Sequence, residues 1–219
     1  MTLLEFARGP ALQASALIMI AGMAWRMAGI LLLRRRPQYA ASRHSLARRM
    51  GGGASLILSR FIPRRTFWPR IAVGVMLSAV FHLGLALVFF GGAPHILLVH
   101  QATGLIWPNL PKGLIVMASG LTLAAMIALI VRRRLHPVLR LLSTADDYVS
   151  WLLVFLPVLT GILLSGEAIG DYGSLLTLHI LSVEALMIWL PFGKLMHSVL
   201  VFAGRWTMGV TFARKGAAT

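Results

Sequence analysis

The residues best placed to do chemistry in this sequence are histidines. There are 7 of them and no cysteine in 219 residues. Disulfides, Cys-ligated zinc, thiol catalysis and an iron–sulfur cluster held by the chain itself are therefore excluded. His44 and His136 fall in Arg-rich stretches and read as solvated loop residues. His82, His95, His100, His179 and His197 lie in or beside long apolar runs. An ionisable side chain is costly there, and marks a site unless it packs as a satisfied core or interfacial imidazole.

His179 and His197 are eighteen residues apart. In one continuous helix that is five whole turns, so the spacing predicts two imidazoles on one face, about 27 Å apart along the axis. One would lie near the outer surface and the other in the inner half of a hydrocarbon core about 30 Å thick. Two haems stacked across a membrane need this arrangement. His82 lies twelve residues past Arg70, about 18 Å from the cytoplasmic end of its helix, and His197 lies eight residues before Arg205, about 12 Å from the same side, so the two can meet. Axial ligation by imidazoles from facing helices saturates a haem iron and suits electron transfer rather than oxygen binding. His95 and His100 sit just past the outer end of the second apolar run, near the depth of His179, but Gly91, Gly92 and Pro94 interrupt the helix and leave their geometry open.

Other polar residues stand near these. Lys194, three residues before His197, either pairs with a haem propionate or snorkels to the surface. Glu184 is the single acid deep in the fifth run; it is expected to be neutral and hydrogen-bonded between helices, with a place on a proton path as the alternative. Met187, Met196 and the tryptophans read as packing and interface residues.

The elements that must position these side chains are membrane spans. Hydrophobic residues make up 58% of the chain and charged ones 12%, about half the charged share of an average soluble domain. That composition excludes a soluble globular domain and a disordered chain. The formal net charge of +15 raises nucleic acid as a partner, but several apolar runs of about twenty residues rule it out. Five spans are expected, at about Ala11–Leu33, Ile71–Gly91, Leu114–Val131, Tyr148–Leu164 and Leu175–Ala203, forming one all-α membrane domain over residues 1–219. Glu5 and Arg8 precede the first span, which is not the basic start of a removable signal peptide.

Cations fix the expected orientation. Arg34, Arg35, Arg36, Arg43, Arg48, Arg49, Arg60, Arg64, Arg65 and Arg70 lie between spans one and two; Arg132, Arg133, Arg134 and Arg140 lie between three and four; Arg205, Arg214 and Lys215 follow span five. The opposite connections hold Lys112 alone, and Glu167 with Asp171. The positive-inside rule then puts the N-terminus outside and the C-terminus in the cytoplasm of a multi-pass inner-membrane protein. The Arg-rich loop at about 34–70, broken at Gly51–Gly53, reads as an anchor on anionic membrane lipid, as a docking surface for a cytoplasmic protein, or as both.

A resemblance follows from particular stretches. Leu178-His179, with Leu190-Pro191-Phe192-Gly193-Lys194-Leu195-Met196-His197, resembles the last span of the respiratory nitrate reductase gamma subunit family. Phe81-His82-Leu83-Gly84, Trp25-Arg26, Arg132-Arg133-Arg134-Leu135 with Pro137, and Ser143-Thr144-Ala145-Asp146 match further family positions, so the likeness runs over nearly the whole chain after about residue 10. The resemblance implies a dihaem cytochrome b that takes electrons from quinol and passes them to an iron–sulfur partner and a catalytic subunit. It implies His82 and His197 at an inner haem iron, and His179 as one ligand of an outer one. The family's other outer ligand stands ten residues beyond the first, where this chain has Gly92, so the outer haem uses His95 or His100 or is absent. Two haems b, or one, are thus implied. Lys112, in Leu110-Pro111-Lys112-Gly113, stands where the family's quinol-site lysine would be.

The long Arg-rich loop departs from the family, so the catalytic partner need not reduce nitrate. The terminal substrate, whether nitrate, a disulfide or a sulfur compound, would be handled on a partner subunit. The contrasting reading is a membrane anchor or assembly subunit without haem; a transporter would call for broken helices with midplane polar groups, which the sequence offers little of beyond Glu184.

Overall fold

A computed structural model describes residues 1–33, 44–63, 65–166 and 171–217. Arg34, Arg35, Arg36, Arg43, Arg64 and Glu167 lie outside the described residues. Among the described residues the fold is all-α with five helices long and apolar enough to cross a membrane, at Leu3–Leu31, Arg65–Gly91, Lys112–Leu135, Ala145–Gly166 and Tyr172–Trp189. The chain divides into two compact units, Met1–Met19 with Ile71–Trp189, and Ile20–Arg70 with Leu190–Thr219.

The first helix begins with α1 (Leu3–Phe6), where Thr2 and Glu5 form a reciprocal capping box. A π turn at Ala7–Ala11 contains Pro10, and α2 (Leu12–Leu31) continues from it. Proline has no N–H for the helix ladder, and a π turn absorbs that defect locally.

In the unit holding Met1–Met19 and Ile71–Trp189, α4 (Trp68–Gly91) ends where Gly92 adopts an extended conformation and Pro94 opens α5 (Ala93–Thr103). Gly104, at φ 77°, closes α5 in the left-handed region that glycine tolerates. The chain then returns over the end of α4. Leu110 N–H donates to the Gly91 carbonyl at 2.9 Å and Trp107 Nε1–H to the Phe90 carbonyl at 2.6 Å, which satisfies carbonyls left open at the helix terminus.

α6 (Lys112–Leu135) finishes on Arg132, Arg133 and Arg134, cations suited to the negative end of a helix dipole. The short α7 (Pro137–Leu142) leads to α8 (Ala145–Gly166), which packs against α6 and α9 (Tyr172–Trp189). Asp147 caps α8 by accepting from Thr144 N–H at 2.8 Å, and pairs with Arg133 at 3.2 Å. Trp151 Nε1–H reaches the Met126 carbonyl on α6, and Trp189 Nε1–H reaches Ser150 Oγ on α8.

The other unit is built on α3 (Leu46–Ser59) and α10 (His197–Lys215), its most extensively packed helix pair. Their backbones approach so closely that a Cβ on Gly209 would collide with the Gly52 carbonyl, and one on Gly53 would sit 2.9 Å from the Trp206 ring. Small residues let the helices meet at backbone contact. Arg205 donates to the Ile57 carbonyl at 3.5 Å and lies 5.1 Å from the Phe61 ring centre, closing the C-terminal end of α3.

The structure corrects the expected fifth span. A continuous helix over Leu175–Ala203 is replaced by α9, which stops at Trp189, a turn at Lys194–Met196, and a new helix beginning at His197. Pro191 is the cause: it lacks an N–H, its ring clashes with the carbonyl of Met187, and it drives Leu190 away from helical geometry. Counting turns between His179 and His197 requires one uninterrupted helix, so the inference of a shared face does not hold.

Candidate functional site

Two of the candidate histidines come together within one unit. His95, on the first turn of α5, and His179, in the first half of α9, have ring centres 6.2 Å apart with an interplanar angle of 39°. Each ring is held through Nδ1. A carbonyl oxygen only accepts, so the 3.1 Å contact between His95 Nδ1 and the Val88 carbonyl makes that nitrogen the donor. Thr160 Oγ1, 2.8 Å from the Leu156 carbonyl, lies 3.0 Å from His179 Nδ1 and shares a hydrogen bond with it. In both imidazoles Nδ1 is thus engaged by the protein, which leaves Nε2 as the ring nitrogen that a ligand could use.

The surroundings fit the rings closely. Phe89 stacks on His95 at 5.4 Å and 23°. A Cβ at Gly161 on α8 would lie 3.3 Å from His179 Cε1, so a larger residue there would press on the ring. Thr160 and Gly161 were not singled out from the sequence. The available signal was a hydroxyl beside a glycine in the apolar run of span four, a pairing that lets another helix's polar side chain come near.

Metal–nitrogen bonds of about 2.0 Å on each side, plus the two ring radii, separate the centres of imidazoles flanking one metal by about 6 Å. The spacing of His95 and His179 matches that figure, and an Nδ1–H tied to a backbone carbonyl or hydroxyl is the usual support behind a ligating histidine. The ring separation is of the size that two imidazoles flanking one haem iron would need.

His82 and His197 show the same preparation in separate units. His82 Nδ1 donates to the Ser78 carbonyl at 2.7 Å, and its exposed ring packs edge-on to Phe81 at 4.6 Å. His197 Nδ1 donates to the Lys194 carbonyl at 2.8 Å, so Lys194 supports the ring through its backbone while its side chain is exposed. His100 is exposed near the C-terminal end of α5, where its carbonyl accepts from Gly104, and is not part of the His95–His179 pair. Lys112 is exposed at the start of α6, two residues after the Leu110 contact with α4.

Glu184 departs from expectation. It is 5% exposed within α9, and its Oε1 is buried with no hydrogen-bond partner rather than bonded between helices. At the start of α9, Ser174 N–H and the Ser174 hydroxyl both donate to Asp171, at 2.8 and 3.0 Å, and hold its carboxyl below the usual carboxylate range.

No family model matches the chain. No solved structure matches it either. The sequence is 31% identical to one recorded simply as "Protein" in Nitratidesulfovibrio vulgaris (strain Hildenborough), over 220 residues that cover 98% of this chain and 96% of the other. At that identity and coverage, the chain belongs to the same protein family as this Nitratidesulfovibrio vulgaris relative.

Proposed function

We propose that the chain is a membrane cytochrome b subunit that carries electrons between the quinone pool and a cytoplasmic iron–sulfur partner. The observation behind this reading is the His95–His179 pair: two imidazoles from different helices, 6.2 Å between ring centres, each with its Nδ1 engaged by the protein. A haem b iron held by these two residues would supply reversible one-electron transfer with both axial positions filled. Val88 and Thr160 engage the two Nδ1 atoms, Gly161 leaves the space His179 occupies, and Phe89 backs His95. The resemblance to the nitrate reductase gamma family assigns His82 and His197 to a second haem, with Lys194 beside it, and Lys112 to the quinol headgroup. On that reading the outer-ligand choice falls on His95 rather than His100. Quinol would be oxidised on the outer side, and the catalytic site for the terminal substrate would lie on a partner subunit.

The test is haem content and optical spectrum of the purified full-length chain, with His95→Ala and His179→Ala beside it. The expected result is a reducible b-type spectrum in the parent and the same loss in both variants, while His100→Ala keeps the full complement. A parent chain with no such spectrum after expression with ample haem overturns the reading and favours a membrane anchor without cofactor.

A further inference from the structure

Glu184 takes no part in the site described above. Five residues separate it from His179, which turns it well away from that ring on the α9 circumference. It lies instead on the face of Thr177, two turns earlier, and close to that of Leu181. Thr177 and Leu181, with Leu178, Ser174, Asp171, Leu3 and Leu4, line a cavity of about 380 Å³ between α1 and the start of α9. Further along the same seam, Ser15 of the first helix contacts the Met187 sulfur at 4.0 Å. Glu184 falls on the stretch of α9 between these two contacts, and the corresponding stretch of the first helix contains the π turn Ala7–Ala11, whose Ala7 is fully buried. The lining of this open cavity runs from Asp171 to Leu181, one turn short of the buried carboxyl.

We infer that Glu184 is a proton-exchange site, a carboxyl inside the span that binds and releases a proton in equilibrium with water at the Asp171 end of the seam between α9 and the first helix. A carboxylate with a buried, unpartnered oxygen is costly inside a bilayer, so the resting form is the neutral acid. Charged or titratable groups on the helices packed against α9 do not relieve that cost. Glu5 and Arg8 on the first helix are exposed. On α8, Asp146 accepts from Ser150, Asp147 is paired with Arg133, and Tyr148 lies beneath the Arg134 guanidinium. About 10 Å of helix separates Thr177 from Glu184; water entering from the cavity carries the proton across it, and exchange needs no redox partner.

Infrared spectroscopy of the full chain in lipid nanodiscs, followed through hydrogen–deuterium exchange, tests this. The parent chain should show a protonated carboxyl C=O band that is absent in Glu184→Gln and shifted in Glu184→Asp, so the assignment survives if the Gln variant misfolds. That band should move on transfer to deuterated buffer, and Leu181→Phe, which fills the cavity, should slow the move several-fold. A parent spectrum with no acid band traceable to position 184, or a band that does not exchange, overturns the inference. Because the band is read whether or not haem is bound, its failure and the failure of the cytochrome reading are separate results.

Discussion

The unit formed by Met1–Met19 and Ile71–Trp189 contains six Lys or Arg and six Asp or Glu, whereas Ile20–Arg70 with Leu190–Thr219 contains fifteen Lys or Arg and no acid. The whole net charge of the chain thus resides in one of its units. In the balanced unit, polar groups other than the buried Glu184 carboxyl find partners internally. Asp147 meets Arg133, Asp146 meets Ser150, and the hydroxyls of Ser119, Thr122, Thr160 and Thr177 all donate to carbonyls of their own helices. That is what a hydrocarbon surrounding demands of every polar atom. In the cationic unit, α3 and α10 are joined by glycine contacts and by one arginine laid on a carbonyl and a ring, and its own residues offer no counter-charge. The His95–His179 pair lies where charge is balanced, whereas an excess of cations suits attraction to an anionic surface.

Several measurements would break or sharpen this contrast. The largest effect is expected at His179: His179→Ala should lower bound haem by about one per chain, read as pyridine haemochrome per mole of protein, while Arg48→Gln and Arg60→Gln in the cationic unit leave haem content unchanged. Next, Gly209→Leu should destabilise the α3–α10 pair by about 2 kcal/mol through overpacking, seen as a lower midpoint of thermal unfolding and faster proteolysis between Leu46 and Arg60. Loss of the haem proposed at His95 and His179 in that variant would show that the units do not keep their tasks apart. Arg205→Ala should cost about 1 kcal/mol, the value of a cation at a helix C-terminus together with a ring contact, and Arg205→Lys should recover only part of it.

The smallest expected effect is a pH dependence at the cap of α9. Asp171 is held below its usual range by the Ser174 N–H and hydroxyl, so its stabilising contribution is present above the unfolded carboxylate value of about 3.9 and disappears as pH falls through the lower folded value. The protection factor of the Ser174 amide, referred to its intrinsic exchange rate at each pH, should therefore be steady from pH 7 to about pH 5 and fall only in more acidic buffer. Asp171→Asn should flatten that dependence. Protection lost near neutrality would contradict the hydrogen-bonded cap.

Four of the five spans were legible in the sequence to within several residues, because twenty apolar residues bounded by arginines or by Gly and Pro leave few alternatives. The fifth was misjudged at its end: hydrophobicity continues through Leu190-Pro191-Phe192, but the backbone cannot, and composition does not register a missing N–H. His179 was legible because an imidazole in an apolar run stands out. Its neighbour His95 was legible as a candidate too, but the choice between it and His100 was not, since the direction of α5 depends on the backbone turn at Gly92 and on the return of Leu110 and Trp107 over α4. Thr160 and Gly161 were missed because their role depends on which helix packs against them, information that only the tertiary fold carries.

The pairing of α3 with α10 has a consequence for how the chain is made. The contact between Ile57 and Arg205 joins residues 148 positions apart. At a synthesis rate of about 5–20 residues per second, α3 waits roughly 7–30 s for its partner to be made. Through that interval the glycine face of α3 is uncovered while four further spans are threaded. A chain cut short before His197 would therefore keep a basic, glycine-faced helix without the partner that covers it.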